Sequence, residues 1–192
     1  MDRSQAVAQL KETWSILSSD LDEAAKREND GGSQYAKRAL VRAFFAQVEG
    51  LSFQLRQVTL ASLGGTNLLT EAELQLLREV RSTLDEKGSV REVASYLNFP
   101  ASVLFSMRVY AKNHGATFNV DRQHTGWFAF KRAADIRNHV THPKSAAALQ
   151  IVDEQLQELG EASAWWQQQL LAMFAACHEA DDYWRRKLTK NE

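Results

Sequence analysis

The sequence predicts an all-α protein, a helical bundle that ends in a long C-terminal helix. Apolar residues recur every three or four positions through most of the 192 residues, and no segment reads convincingly as a strand. The chain has only 2 Pro and 9 Gly, too few for the many turns of a β-sandwich or barrel. We therefore expect a single α-helical domain over residues 1–192.

The first two helices are predicted over residues 4–28, with Ser4 as the cap, and over residues 34–63. Asn29–Ser33 separates them, and Gly64–Gly65 ends the second helix. Helix 1–28 is treated as an addition to the main bundle.

A capping box of Thr70 and Glu73 opens a third helix, whose apolar stripe runs to Leu84. Residues 89–113 predict one or two further helices, with Pro100 in the first turn of the second.

After a loop at 116–125, a short helix is expected over 126–140, and the longest helix is expected from Ser145 onward. The apolar positions of this last helix alternate steps of three and four, which is typical of a coiled-coil-like seam. They are Leu149, Val152, Leu156, Leu159, Trp166, Leu170, Met173, Cys177, Ala180 and Trp184. Trp165 is expected to lie partly off this seam and to meet a partner helix.

The amino-acid composition excludes several classes of function and binding site. A net charge of −1 excludes a strongly basic nucleic-acid-binding coat, so contacts with RNA or DNA must be local. The single Cys177 excludes an intrachain disulfide and a Cys-cluster zinc site. Glu179, Asp181 and Asp182 lack the surroundings of a metal loop, so no metal or cofactor is expected. No long apolar run or signal-peptide core is present, and a cytoplasmic protein without membrane contact is expected.

The segment Arg137-Asn138-His139-Val140-Thr141-His142 carries the chemistry that we expect. Because Pro143 disfavours a helical residue before it, the helix should end at or before His142. Arg137 then projects from the last turn, and His142 can turn toward it. A histidine can accept or donate a proton near neutral pH, and an arginine can donate two hydrogen bonds to one phosphate. Together they suit a reaction in which an RNA 2′-hydroxyl attacks the adjacent phosphodiester. One histidine cannot easily serve as base and acid at once, so two copies in a symmetric homodimer are expected.

This segment resembles the R-polar-x3-H motif of the HEPN superfamily (higher eukaryotes and prokaryotes nucleotide-binding domains). The aromatic-rich helix before it, the His-Pro-Lys after it and the long final helix are similar in pattern, and the resemblance covers about residues 33–188. It implies a dimeric helical bundle and a metal-independent endoribonuclease that leaves a 2′,3′-cyclic phosphate. It also implies a place in toxin–antitoxin or antiviral defence systems, with an antitoxin or defence protein as partner.

By motif position, Arg137 and His142 would be catalytic, and Asn138 would orient them or the phosphate. Members regulated by nucleotidylation have a Tyr where this chain has Lys144, so that modification is not expected.

Lys131, Arg132 and Lys144 extend the motif as candidate RNA contacts, although each also fits a solvated surface position. Glu49 either orients Arg137, or caps its helix or faces water. Asp135 is spaced to pair with His139.

Other functions stay open. Residues 90–110 resemble a helix-turn-helix, but the second helix would present Val103, Leu104 and Phe105 where DNA reading needs polar side chains. The main alternative to an enzyme is a non-catalytic module for dimerisation and nucleotide or RNA binding; a nucleotide sensor is the third.

Overall fold

The computed structural model describes residues 1–63 and 68–189 and confirms an all-α bundle with one small β-hairpin. The elements are α1 (Arg3–Gly31), α2 (Gln34–Ala61), α3 (Glu71–Leu77), β1 (Val80–Leu84), β2 (Val90–Ala94), α4 (Phe99–Asn113), α5 (Thr125–Thr141), a single 3₁₀ turn (Ala147–Leu149) and α6 (Asp153–Thr189). The long C-terminal helix is therefore present, although it begins later than expected.

The first two helices form where the apolar spacing places them. Asp2, rather than Ser4, caps α1, because its carboxylate accepts from the Gln5 amide and the Gln5 side chain accepts from the Asp2 amide. Gly32, with φ of 51°, ends α1, and Ser33 caps α2. The Gly64–Gly65 stop lies outside the described residues.

A cluster of aromatic rings joins α2, α4, α5 and α6 at the centre of the core. Phe130 of α5 lies in its middle, with ring centroids of other helices between 5.2 and 6.4 Å away. The rings around it are Phe44, Phe45, Phe99, Trp127, Trp165 and Trp166. Because Phe130 is fully buried, this cluster fixes where α5 lies in the bundle.

The predicted helix through Leu84 is wrong, because α3 ends at Leu77 and Val80–Leu84 is a strand. β1 pairs antiparallel with β2, which also replaces the helix predicted from residue 89. Asp85 closes the turn between them by accepting from the amides of Lys87 and Ser89. The apolar spacing was misleading here since Leu84 is 64% exposed and belongs to no core stripe. A strand at 90–94 also rules out the helix-turn-helix interpretation.

The last helix differs from its prediction at its start and in its buried face. Ser145 precedes the short 3₁₀ turn, where its hydroxyl accepts from the Ala148 amide, and α6 begins at Asp153. The buried residues of α6 are Leu159, Ala162, Trp165, Trp166, Leu170, Met173 and Cys177.

Trp165 therefore does not lie off the seam. It is 2% exposed and packs on Trp127 and Phe130 of the same chain. Trp184, which was expected to lie on the seam, is instead 46% exposed. The reason is that both α4 and α5 contact α6. The buried face of α6 is therefore wider than the narrow stripe that packs against a single partner helix. Across the described ranges, no helix is long and apolar enough to cross a membrane.

Candidate functional site

The proposed motif lies at the C-terminal end of α5, where Pro143 interrupts the helix. His142 follows the last helical residue, and its amide still donates to the Asn138 carbonyl at 2.9 Å. Its backbone has left the helical region, with φ of −126° and ψ of 63°. This agrees with the restriction that a proline places on the residue before it. The His142 side chain is exposed at the point where the chain leaves the helix.

Arg137 is held on three sides. Its Nη2 forms an ion pair with Glu49 Oε1 of α2, and its Nη1 donates to Asn138 Oδ1 at 3.0 Å. The guanidinium carbon lies 5.5 Å from the centroid of the Phe99 ring. Glu49 therefore contacts Arg137, as in the first of the alternatives considered for it.

No hydrogen bond joins Arg137 to His142 within the described residues. The Arg137 side chain retains 24% exposure, and His142 is exposed, so solvent reaches both groups.

Two open cavities lie on either side of Phe99, and the motif reaches both of them. Asn138 lines the larger one, of about 610 Å³, together with Trp127 and Lys131. Arg137 lines the smaller one, of about 400 Å³. Adjacent residues of the motif thus face different cavities, and His142 lines neither.

The candidate RNA-binding residues differ in what they already contact. Lys131 is exposed, and its Nζ lies 5.0 Å from the Phe128 ring centroid. Arg132 is paired with Glu158 of α6, with Nε 2.6 Å from Oε1, so a carboxylate already contacts its guanidinium. Lys144 is exposed, and the structure shows no hydrogen bond or ion pair for it among the residues it covers. The expected pair of Asp135 and His139 does not form there either.

Sequence reasoning missed Arg56, which faces the smaller cavity. Arg56 is only 6% exposed; its Nη1 donates to Ser106 Oγ at 2.9 Å and its Nη2 to Glu79 Oε1 at 2.6 Å. Burial lowers the pKa of Arg56, and the negative charge of Glu79 opposes this shift. The available signal was its position in α2 next to Leu55, inside the apolar stripe, where a charge requires a partner.

The polar residues near the end of α6 have side-chain partners of their own. Asp181 Oδ2 lies 3.1 Å from His114 Nδ1, and Asp182 pairs with Arg185 and His178. Cys177 is buried beside them, and burial raises the pKa of its thiol to about 12. The thiol is therefore protonated at neutral pH and packs as an apolar group.

Comparisons with protein-family models, with curated proteins and with solved structures found no match to this chain. The function proposed for the site therefore depends on its own geometry and on the resemblance of its motif.

Proposed function

We propose that this protein is a metal-independent endoribonuclease of the HEPN type. One observation carries the proposal: Glu49 and Asn138 hold Arg137 at the wall of a cavity, while His142 is exposed where the same helix ends. The arrangement offers a phosphate-binding group and a proton-transfer group at one end of α5. These are the two functions that transesterification of RNA requires.

In the proposed reaction, the imidazole of His142 removes the proton from a ribose 2′-hydroxyl. The 2′-oxygen then bonds to the adjacent phosphorus, and the bond from phosphorus to the 5′-oxygen breaks. Arg137 donates hydrogen bonds to the phosphoryl oxygens, whose negative charge increases in the transition state. The leaving 5′-oxygen takes a proton, and the products are a 2′,3′-cyclic phosphate and a 5′-hydroxyl.

A homodimer would supply the second proton-transfer group, because His142 of one chain would act as base while its copy acts as acid. Phe128 of α5 is 44% exposed and leaves an apolar ring on the surface of the motif helix. We place the protein in the cytoplasm, as a toxin or an antiviral defence component with a protein partner.

The alternative is a non-catalytic module that dimerises and binds nucleotides or RNA. The contact between Arg137 and Glu49 favours it, because an arginine paired with a carboxylate has less charge to offer a phosphate. The lack of a hydrogen bond between Arg137 and His142 in the described structure is equally compatible with this alternative.

The deciding experiment incubates the purified protein with single-stranded RNA in excess EDTA. We expect cleavage that leaves cyclic phosphates, and His142→Ala should reduce its rate by about 100-fold or more, as loss of a general base does. His139→Ala is the matched control, an exposed histidine three residues earlier that should retain the wild-type rate.

Cleavage that continues unchanged in His142→Ala would contradict the assigned chemistry. RNA binding without cleavage, by a protein with twice the mass of one chain in light scattering, would support the non-catalytic module instead.

A further inference from the structure

Arg56 is the only charged residue that is buried among those the structure describes. It lies on α2 in the wall of the 400 Å³ cavity, which Ser52, Glu79 and Arg137 also line. Its Nη1 donates a hydrogen bond to the Ser106 hydroxyl on α4, which holds the guanidinium in place. A rigidly held arginine facing an open cavity is a typical element of an anion site.

Two buried polar atoms in this wall have no partner in the described part of the chain, namely Arg56 Nε and Ser52 Oγ. Both residues are buried, with Ser52 2% exposed and Arg56 6% exposed. Buried polar groups in native proteins are nearly always hydrogen-bonded, so two exceptions in one cavity wall require an explanation.

Glu79 accepts a hydrogen bond from only one of the two nitrogens on one edge of the Arg56 guanidinium. Nε and Nη2 lie on one edge of the planar group, with parallel N–H bonds that match two oxygens of a single oxyanion. Glu79 accepts from Nη2 alone, at 2.6 Å. An oxyanion with more oxygens could bind both nitrogens and also accept from the Ser52 hydroxyl.

Glu79 itself is only loosely held. Its side chain is 49% exposed, and its carboxylate has no other hydrogen bond within the described structure. Its φ of 56° lies in the left-handed region, which residues other than glycine rarely adopt. Rotation of this carboxylate into water would therefore break one contact and leave the protein framework in place.

From these observations we infer that the cavity is a binding site for a phosphate-class oxyanion, and that Glu79 occupies the anion position until the ligand displaces it. In the bound state, Arg56 donates through Nε and Nη2, Ser52 donates through Oγ, and Glu79 turns to solvent. Displacement leaves Arg56 and Arg137 facing Glu49 alone, an excess of one positive charge. Arg137 lines this cavity and belongs to the proposed cleavage site, whereas His142 does not line it, so phosphate binding can be tested without cleavage.

Titration with inorganic phosphate at constant ionic strength, followed by calorimetry and by ³¹P nuclear magnetic resonance, tests the inference. We expect saturable binding at one site that chloride does not reproduce. Ser52→Ala should weaken it by about tenfold or more, the effect of losing one hydrogen bond to a charged group. Because this change removes an unpartnered buried hydroxyl, the variant should remain folded, and a purely structural role for Ser52 predicts no change in affinity.

Glu79→Gln removes the competing charge and should tighten phosphate binding by about tenfold. Glu86→Gln is the matched control, because Glu86 is exposed in the turn of the hairpin and does not line the cavity. If Arg56 and Glu79 form only a structural ion pair, Glu79→Gln will leave the phosphate affinity unchanged, which would overturn the inference.

A second arm identifies the source of the anion with a 2′-O-methyl RNA oligonucleotide that has no terminal phosphate. Competition with inorganic phosphate would assign the site to RNA phosphodiesters, and no competition would assign it to free phosphate or a phosphomonoester; both support an oxyanion site. This RNA cannot be cleaved, so the result does not depend on ribonuclease activity. Phosphate binding no tighter than chloride binding would refute the site.

Discussion

Arg137 is positioned by a residue that lies 88 positions earlier in the chain. Glu49 of α2 pairs with its Nη2, while Asn138 accepts from Nη1 and the Phe99 ring lies against the guanidinium. Without these contacts, a long arginine side chain would sample many rotamers, and ordering it during catalysis would oppose the reaction. At the scale of single residues, Glu49 therefore acts as the positioning group of the proposed site.

The variant Glu49→Gln tests this role. The amide still accepts a hydrogen bond but carries no charge, so we expect RNA cleavage to fall by about tenfold. Since the Glu49 side chain is 42% exposed, unfolding free energy should change by less than about 1 kcal/mol.

Cleavage rates and urea unfolding measure the two effects of Glu49→Gln. Glu161→Gln is the control, an exposed glutamate of α6. An unchanged cleavage rate in Glu49→Gln would show that other groups position Arg137.

At the scale of elements, the close contact between α5 and α6 places the motif helix. Gly126 lies in the first turn of α5, where a Cβ atom would come within 2.5 Å of Trp165. The absence of a side chain there lets the indole of Trp165 pack against the α5 backbone. The same contact explains why Trp165 is buried within its own chain.

We expect Gly126→Ala to destabilise the protein by about 1–3 kcal/mol, because Trp165 must shift to admit the methyl group. Gly160→Ala is the matched control on α6, where an added Cβ meets nothing within 4 Å. It should stabilise the protein by up to about 1 kcal/mol through helix propensity. Denaturant unfolding of both variants measures the difference, and equal effects would contradict the proposed contact.

At the scale of the whole molecule, the contact of α4 with α6 buries two groups that lose protons at high pH. Burial raises the pKa of Tyr110 and of Cys177 to about 12 each. Their ordinary values are 10.0 for the tyrosine and 9.0 for the cysteine, so the unfolded chain releases these protons first. Stability from this source is complete below pH 9 and is lost as the pH rises toward 12.

The expected result is an unfolding free energy that falls between pH 9 and 12, by at most about 1.4 kcal/mol per pH unit for each group. Cys177→Ala should make this slope shallower, whatever it does to stability at pH 7. Chemical unfolding at pH 7, 9 and 10.5 measures the slope. The same slope in the variant and in the wild type would show that Cys177 makes no contribution.

Most of the helical bundle follows from local features of the amino-acid sequence. Apolar spacing and capping residues located α1, α2, α4 and α5, and Pro143 set the helix end at His142. These features depend on contacts between residues within about four positions of one another, so they can be predicted from the sequence alone.

The hairpin, the burial of Trp165 and the surroundings of Arg137 and Arg56 depend instead on how the helices pack together. Leu74, Leu77, Val80 and Leu84 have a helical spacing, but no helix packs over Leu84, so the chain after Glu79 forms a strand instead. The pairs of Arg137 with Glu49 and of Arg56 with Glu79 join residues 88 and 23 positions apart. The spacing of apolar residues predicts which side chains lie on the same face of a helix. Which other residues contact that face depends on how the helices pack against each other.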